Sequence, residues 1–154
     1  MKPTIQHEYP DEFSYCYGCG RLNDHGLHVQ SSWQEDQAVA VYLPQPHHIA
    51  VPGFVYGGLI ASIMDCHAMA TAAAATIQAE GEGLDRATLR FVTGSLHVDY
   101  LKPTPLGPPL IAKAIVKEQK GRKMVITLSL TVNEVETARG EIVAVRIPET
   151  MMRN

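Results

Sequence analysis

Cysteine, aromatic residues and net charge are all scarce in this 154-residue chain, and each shortage excludes something. Three cysteines are few and odd in number, which argues against a disulfide framework and for a reducing compartment. With 13 basic and 16 acidic residues the formal charge is −3, so no general field favours nucleic acid or an anionic membrane. The stretch "MKPTIQHEYPDEFSYCYGCG" has no apolar run of signal-peptide length. The uncharged stretch from Gln37 to Met64 is broken by Pro44, Pro46, Pro52 and three glycines, so it cannot form a membrane helix. A cytoplasmic protein is expected, without nucleic acid or membrane as partner.

What the chain does hold is apolar content. Hydrophobic residues at 45% against 19% charged fit one folded domain with a real core. Residues 1–26 read as an irregular extension punctuated by Pro3, Pro10, Gly18, Gly20 and Gly26. "LHVQSSW" and "QAVAVYL" read as two strands around a turn at Glu35 and Asp36, and "PQPHHIAVPG" as a loop. From Gly57 to about Ala79, alanine, leucine, isoleucine and methionine predict one long buried helix, stopped by "EGEG".

After Leu89 the chain is strand-like. "FVTGSLHVDYL" alternates, with Val92, Leu96, Val98 and Tyr100 predicted on one face and Thr93, Ser95, His97 and Asp99 on the other. In "MVITLSLTV", Met124, Ile126, Leu128, Leu130 and Val132 form a period-two stripe between turns at "QKGRK" and "NEVE". The sum is two strands, a helix and four strands: an α+β domain whose antiparallel sheet wraps around one long central helix. It is expected over 27–148, with a tail over 149–154.

The helix carries one charged residue before Glu80, the acid Asp65, and opens on Gly57 and Gly58. First-turn N–H groups lack internal partners, the dipole is positive there, and glycine admits close approach. Such a pole can stabilise the oxyanion of an acyl-transfer reaction, although "GG" before a helix is also an ordinary tight turn. Asp65 lies two turns further on, about 12 Å along the axis, too far to share a reacting carbon with its own helix tip. A catalytic Asp65 therefore requires at least a two-fold dimer with composite sites. The pattern alone equally allows a solvated acid on a weakly polar face with Ser62, Met69, Ala72 and Thr76.

"PGFVYGGLIASIMD" followed by "VTGSLHVDYLKPTPLG", with the lead-in "CYGCGRLNDHGLHV", resembles the hotdog-fold acyl-CoA thioesterases of the phenylacetate-pathway (PaaI-like) type over about residues 16 to 147. Gly53, Gly57, Gly58, Asp65 and Thr93 match the family's motif positions. Tyr56 stands where the family has histidine, and Ala50 where asparagine is frequent. The resemblance implies that the Gly57 N–H polarises a thioester carbonyl while the partner's Asp65 acts as base or nucleophile, with Thr93 helping to place water. The substrate contacts it implies involve Gly53, Phe54, Tyr56, Gly58 and His48, with His47 and His48 partly standing in for the missing histidine. Substrate would be acyl-CoA, products free CoA and a carboxylic acid. No metal or other cofactor is needed, and the chain would be a homodimer or a dimer of dimers.

Other signals carry less. Cys16, Cys19, His25 and His28 form C-x2-C-x5-H-x2-H, a set of zinc-ligand types, with a tucked N-terminal loop as the alternative. Cys66 and His67 point about 100° apart on a helix and make no dyad. "KGRK" (120–123), Lys102, Arg86 and Arg90 are the candidates for CoA phosphates, with solubilising charge at a hairpin tip as the competing explanation of "KGRK". Against thioester hydrolysis stand a non-catalytic acyl-CoA binding domain and a hotdog hydratase or dehydratase, the latter disfavoured by the absent motif histidine. A zinc-dependent interaction module ranks behind both.

Overall fold

A 24-residue helix, α1 (Gly57–Glu80), runs through the middle of the molecule and touches every strand. The computed structural model describes residues 3–151. Residues 1–2 of the N-terminal extension and 152–154 of the C-terminal tail lie outside the described residues. Tyr56 enters α1 in an extended conformation, and Gly81, at φ +68°, ends it by donating its N–H to Ile77 O. The helix interior has no proline, and its apolar side chains occur on nearly all faces, the pattern of a helix enclosed by its own domain. Residues 57–83 are long and apolar enough to cross a bilayer, but 67% of that apolar window is already buried against the protein.

Among the described residues, six antiparallel strands enclose it: β1 (Ser31–Gln34), β2 (Gln37–Tyr42), β3 (Phe91–Tyr100), β4 (Leu110–Lys120), β5 (Lys123–Val132) and β6 (Val135–Arg146), in spatial order β1-β2-β4-β5-β6-β3. Such a sheet is roughly 24 Å across, whereas a helix with its side chains measures about 10 Å. One helix can reach all six strands only if the sheet curls around it. This is the α+β hotdog arrangement that the sequence leads one to expect. The β5 stripe from Met124 to Val132 is buried throughout, and Ala38, Ala40, Ala112, Ala114, Ala138 and Ala144 let the strands approach the helix. Asn133 and Glu134, both at positive φ, close the β5–β6 hairpin in the primed turn that suits strand twist.

Two expectations need correction. The first strand begins at Ser31, not Leu27, because the N–H groups of Leu27 and Val29 donate to Tyr17 O and Gly18 O of the N-terminal segment. That segment is stitched to the domain, with Gln6 and Ser14 almost fully buried and Gln6 bonded to Ser31 through both side chain and backbone. The second concerns β3. A bulge at Gly94 shifts the register between Thr93 and Ser95, so Thr93 lies opposite Ala144 and Leu96 opposite Ile142. Thr93 therefore shares the helix-facing side with Leu96, Val98 and Tyr100, and Val92 turns outward. Strict alternation had placed Thr93 with Ser95, His97 and Asp99; one extra residue reverses the face of everything before it.

Candidate active site

The loop before α1 is clamped on two sides. Gly53, at φ +88°, takes a conformation that side chains resist, and its carbonyl accepts the Leu106 N–H at 2.9 Å. Val55 N–H donates to Thr104 O at 2.8 Å, Tyr56 N–H to His48 O at 3.0 Å, and Phe54 bridges to Pro105. These bonds aim the chain into the helix, with no side-chain cap among the described residues. Leu59 and Ile60 both donate to Tyr56 O, while the N–H groups of Gly57 and Gly58 have no acceptor among the described residues. This is an open, electropositive helix pole.

Two tyrosines flank it. The Tyr56 ring covers Gly58 so closely that a methyl group there would come within 2.4 Å of it. Tyr100, at the end of β3, donates its hydroxyl to Gly57 O at 2.7 Å, and its ring lies 3.4 Å from where a Gly57 Cβ would be. Both rings remain more than half exposed. Burial, followed by the neighbouring Tyr56, raises the Tyr100 pKa, so it stays a neutral donor. Sequence reasoning missed Tyr100 as a site residue. The available signal was an aromatic hydroxyl on the helix-facing side of a strand.

Two turns along α1, half-buried Asp65 accepts a hydrogen bond from the Thr93 hydroxyl. Among the described residues no cation lies within ion-pair distance of it. The pair opens into a mainly apolar cavity of about 360 Å³, walled by Phe13, Met69, Ala73, Leu89 and Phe91. The structure thus brings Asp65 and Thr93 together, and separately gathers Gly53, Phe54, Tyr56, Gly57 and Gly58. It does not join the two groups within one chain, since eight residues of helix, about 12 Å, intervene.

His48 belongs to neither group through its ring. Its Nδ1 accepts the Gln45 N–H at 2.9 Å, and its ring lies edge-on against His47 at 4.4 Å. Burial and then His47 lower its pKa. Its contribution to the pole is the carbonyl that holds Tyr56. The four zinc-ligand types near the N-terminus do not assemble either. His28 Nε2 engages Asn23 O at 2.6 Å, whereas Cys16 and Cys19 turn toward Cys66.

The basic candidates divide similarly. Arg86 pairs with Glu8 at 3.1 Å. The Arg90 guanidinium lies 4.0 Å from the Phe13 ring centre and 4.7 Å from that of Tyr9, at the edge of the Asp65 cavity. Lys102 and the 120–123 hairpin tip are exposed. The outer face of the sheet bears a larger depression, about 660 Å³, lined by groups such as His97, Asp99, Lys113, Glu136 and Arg139. It contains none of the candidate site residues.

Comparison with known proteins agrees with this architecture. The acyl-coenzyme A thioesterase THEM4 of Rattus norvegicus is 27% identical over 113 residues, covering 73% of this chain and 44% of its own length. The chain therefore spans less than half of that curated relative. A thioesterase superfamily protein from Shewanella loihica superposes with a TM-score of 0.68 at 40% identity, over 91% of this chain and all of the other. The PaaI protein of the E. coli phenylacetic acid degradation operon shares the fold, with a TM-score of 0.65 at 19% identity over 79% of this chain and 81% of its own. The family model described as thioesterase superfamily matches residues 52–144. That span runs from the loop before α1 into β6 and takes in Gly57, Asp65 and Thr93 together, and on this match the chain belongs to the thioesterase superfamily.

Proposed function

We propose that the protein hydrolyses acyl-CoA thioesters at two equivalent sites, each shared between two copies of the chain. The observation that carries this is the separation of an open N–H pole at Gly57 from a Thr93-bonded carboxylate at Asp65 on one rigid helix. Two antiparallel helices would set the pole of one beside the acid of the other. β3 supports such pairing: among the described residues it is a ten-residue edge strand bonded only to β6, with Val92, Leu96 and Tyr100 substantially exposed. A long apolar edge of this kind is a template for another strand, and a second copy would cover it.

The chemistry follows from the groups. The thioester carbonyl accepts the Gly57 N–H, which stabilises the negative charge that grows on its oxygen. The Thr93 hydroxyl occupies one Asp65 oxygen and leaves the other free to take a proton from water, or to attack the carbonyl carbon directly. When water attacks, collapse of the tetrahedral intermediate expels the CoA thiolate, which takes up a proton, and leaves the carboxylic acid. When Asp65 attacks, the same collapse leaves an acyl–Asp65 anhydride, which a water then hydrolyses to the carboxylic acid and free Asp65. The apolar cavity beside Asp65 suits an aryl or aliphatic acyl group. Three free thiols fit a reducing, cytoplasmic setting.

A second reading, binding of acyl-CoA without turnover, draws on Tyr56, whose ring folds over Gly58 at the position of the motif histidine. One experiment decides. Purified protein is offered a panel of acyl-CoAs while free thiol and enoyl hydration are followed separately. Thiol release that is lost in Asp65→Asn supports hydrolysis. A rise in melting temperature with no thiol released favours the binding reading, and enoyl hydration would replace both.

A further inference from the structure

All three cysteines of the chain converge on one point. Cys16 and Cys19 come from the N-terminal loop and Cys66 from α1, 47 residues beyond Cys19 in sequence. Their sulfurs lie within 4.8 Å of one another, with Cys16 and Cys66 at 3.9 Å, and all three thiols are free. Thiolates around a zinc ion at about 2.3 Å stand about 3.8 Å apart. Disulfide sulfurs are bonded at about 2.05 Å. The Cys16–Cys66 pair stands at the ligand spacing, and Cys19 lies within 4.8 Å of both.

The surrounding chain is shaped to hold it. A methyl group on Gly18 would fall 2.3 Å from Cys66 Sγ, so only glycine lets the loop press against that thiol. A methyl on Gly20 would fall 2.4 Å from Cys16 N and 2.5 Å from Ser14 O, backbone atoms that cannot yield. Neither glycine has a positive φ; both are required for space. The tight turn over "CYGCG" is closed by the Gly20 N–H to Cys16 O at 2.8 Å. Gly18 O and Tyr17 O are in turn fixed by Val29 and Leu27.

We propose that Cys16, Cys19 and Cys66 form a three-sulfur site for a thiophilic d10 metal ion, Zn(II), with a fourth position open to the cavity that holds Asp65. An all-sulfur donor set selects soft or borderline ions over magnesium or calcium. Binding displaces the thiol protons to solvent and ties the N-terminal loop to α1 beside the candidate site. The inference does not depend on thioester hydrolysis, because its test reads metal rather than turnover.

The test uses the full chain, purified reduced and stripped with a chelator. Zinc is titrated against a chromophoric competitor, cobalt is added as a spectroscopic probe, and alkylation of each cysteine is followed by mass spectrometry. One zinc per chain is expected, together with a near-ultraviolet thiolate-to-cobalt charge-transfer band and protection of all three thiols. Cys16→Ser changes an exposed side chain and should weaken zinc binding by more than about a hundredfold. Binding that survives Cys16→Ser belongs to surface histidines and overturns the site. So does zinc that leaves Cys16 alkylation unchanged in the unaltered chain, a readout that holds even if the variant fails to fold. Recovery of a Cys16–Cys66 disulfide from the reduced preparation would replace the metal site with a redox pair.

Discussion

Thr93 donates its hydroxyl to the Asp65 carboxylate across the gap between β3 and α1. The bond exists because the Gly94 bulge turns Thr93 to the helix side. It gives the single acid in the body of the helix a partner that orients it without neutralising it.

Removing the charge while keeping the shape tests the acid. Asp65→Asn should lower kcat for thiol release by about a hundredfold or more, the scale of a lost general base. Thr93→Val keeps the strand and removes the orienting donor, so a smaller drop is expected. Steady-state kinetics on the best acyl-CoA measures both, and an Asp65→Asn enzyme as fast as the parent would refute the role.

The pole has a cleaner test than usual. Gly57 is the first helical residue, where proline is well tolerated, and Tyr56 before it is already extended at ψ 128°. Gly57→Pro should therefore fold, yet it lacks the N–H and should lose about a hundredfold to a thousandfold in kcat. Gly57→Ala keeps the N–H and meets the Tyr100 ring at an ordinary 3.4 Å, so it should retain more activity. Equal losses in the two variants would point to crowding instead of a lost donor.

Composite sites predict rescue by mixing. Asp65→Asn and Gly57→Pro homodimers should each turn over substrate at about a hundredth of the parent rate or less. Subunits mixed one to one and allowed to exchange should regain about a quarter of the parent rate, because half the dimers are mixed and each has one intact site. Sedimentation should show a dimer or larger throughout. Failure to regain activity despite proven exchange would place both groups in one subunit's site.

His67 predicts the acid limb of stability. It is fully buried on α1, its Nδ1 bonded to Ser31 Oγ at 2.8 Å, and its Nε2 has no hydrogen-bond partner among the described residues. Burial pushes its pKa down from 6.5 to about 4. Between those values the unfolded chain binds a proton that the folded chain refuses. Stability should be free of this penalty above about pH 6.5, fall as pH drops to about 4, and lose no more to this group below that. The full loss is about 3 kcal/mol. Denaturant melts of His67→Asn, which retains an acceptor for Ser31, should lack this slope.

The elements and the acid were legible because they are written locally. A proline-free apolar run between glycines defines α1 to within a residue, and the Met124–Val132 stripe declares which face of β5 is buried. Gly57, Gly58 and Asp65 stand out by contrast with their own neighbours. Their spacing along a rigid helix was enough to require a second subunit for any shared chemistry. Other relationships needed the folded chain. A one-residue bulge has no periodic signature of its own, yet it decided which side of β3 Thr93 faces. Tyr100 reaches Gly57 only because β3 ends beside the helix pole. Cys19 and Cys66 meet across 47 residues because the loop turns back onto α1, while His28, nine residues from Cys19, bonds elsewhere. Local pattern sets what each segment is. Register and the path of the loops, which depend on distant partners, set which side chains meet.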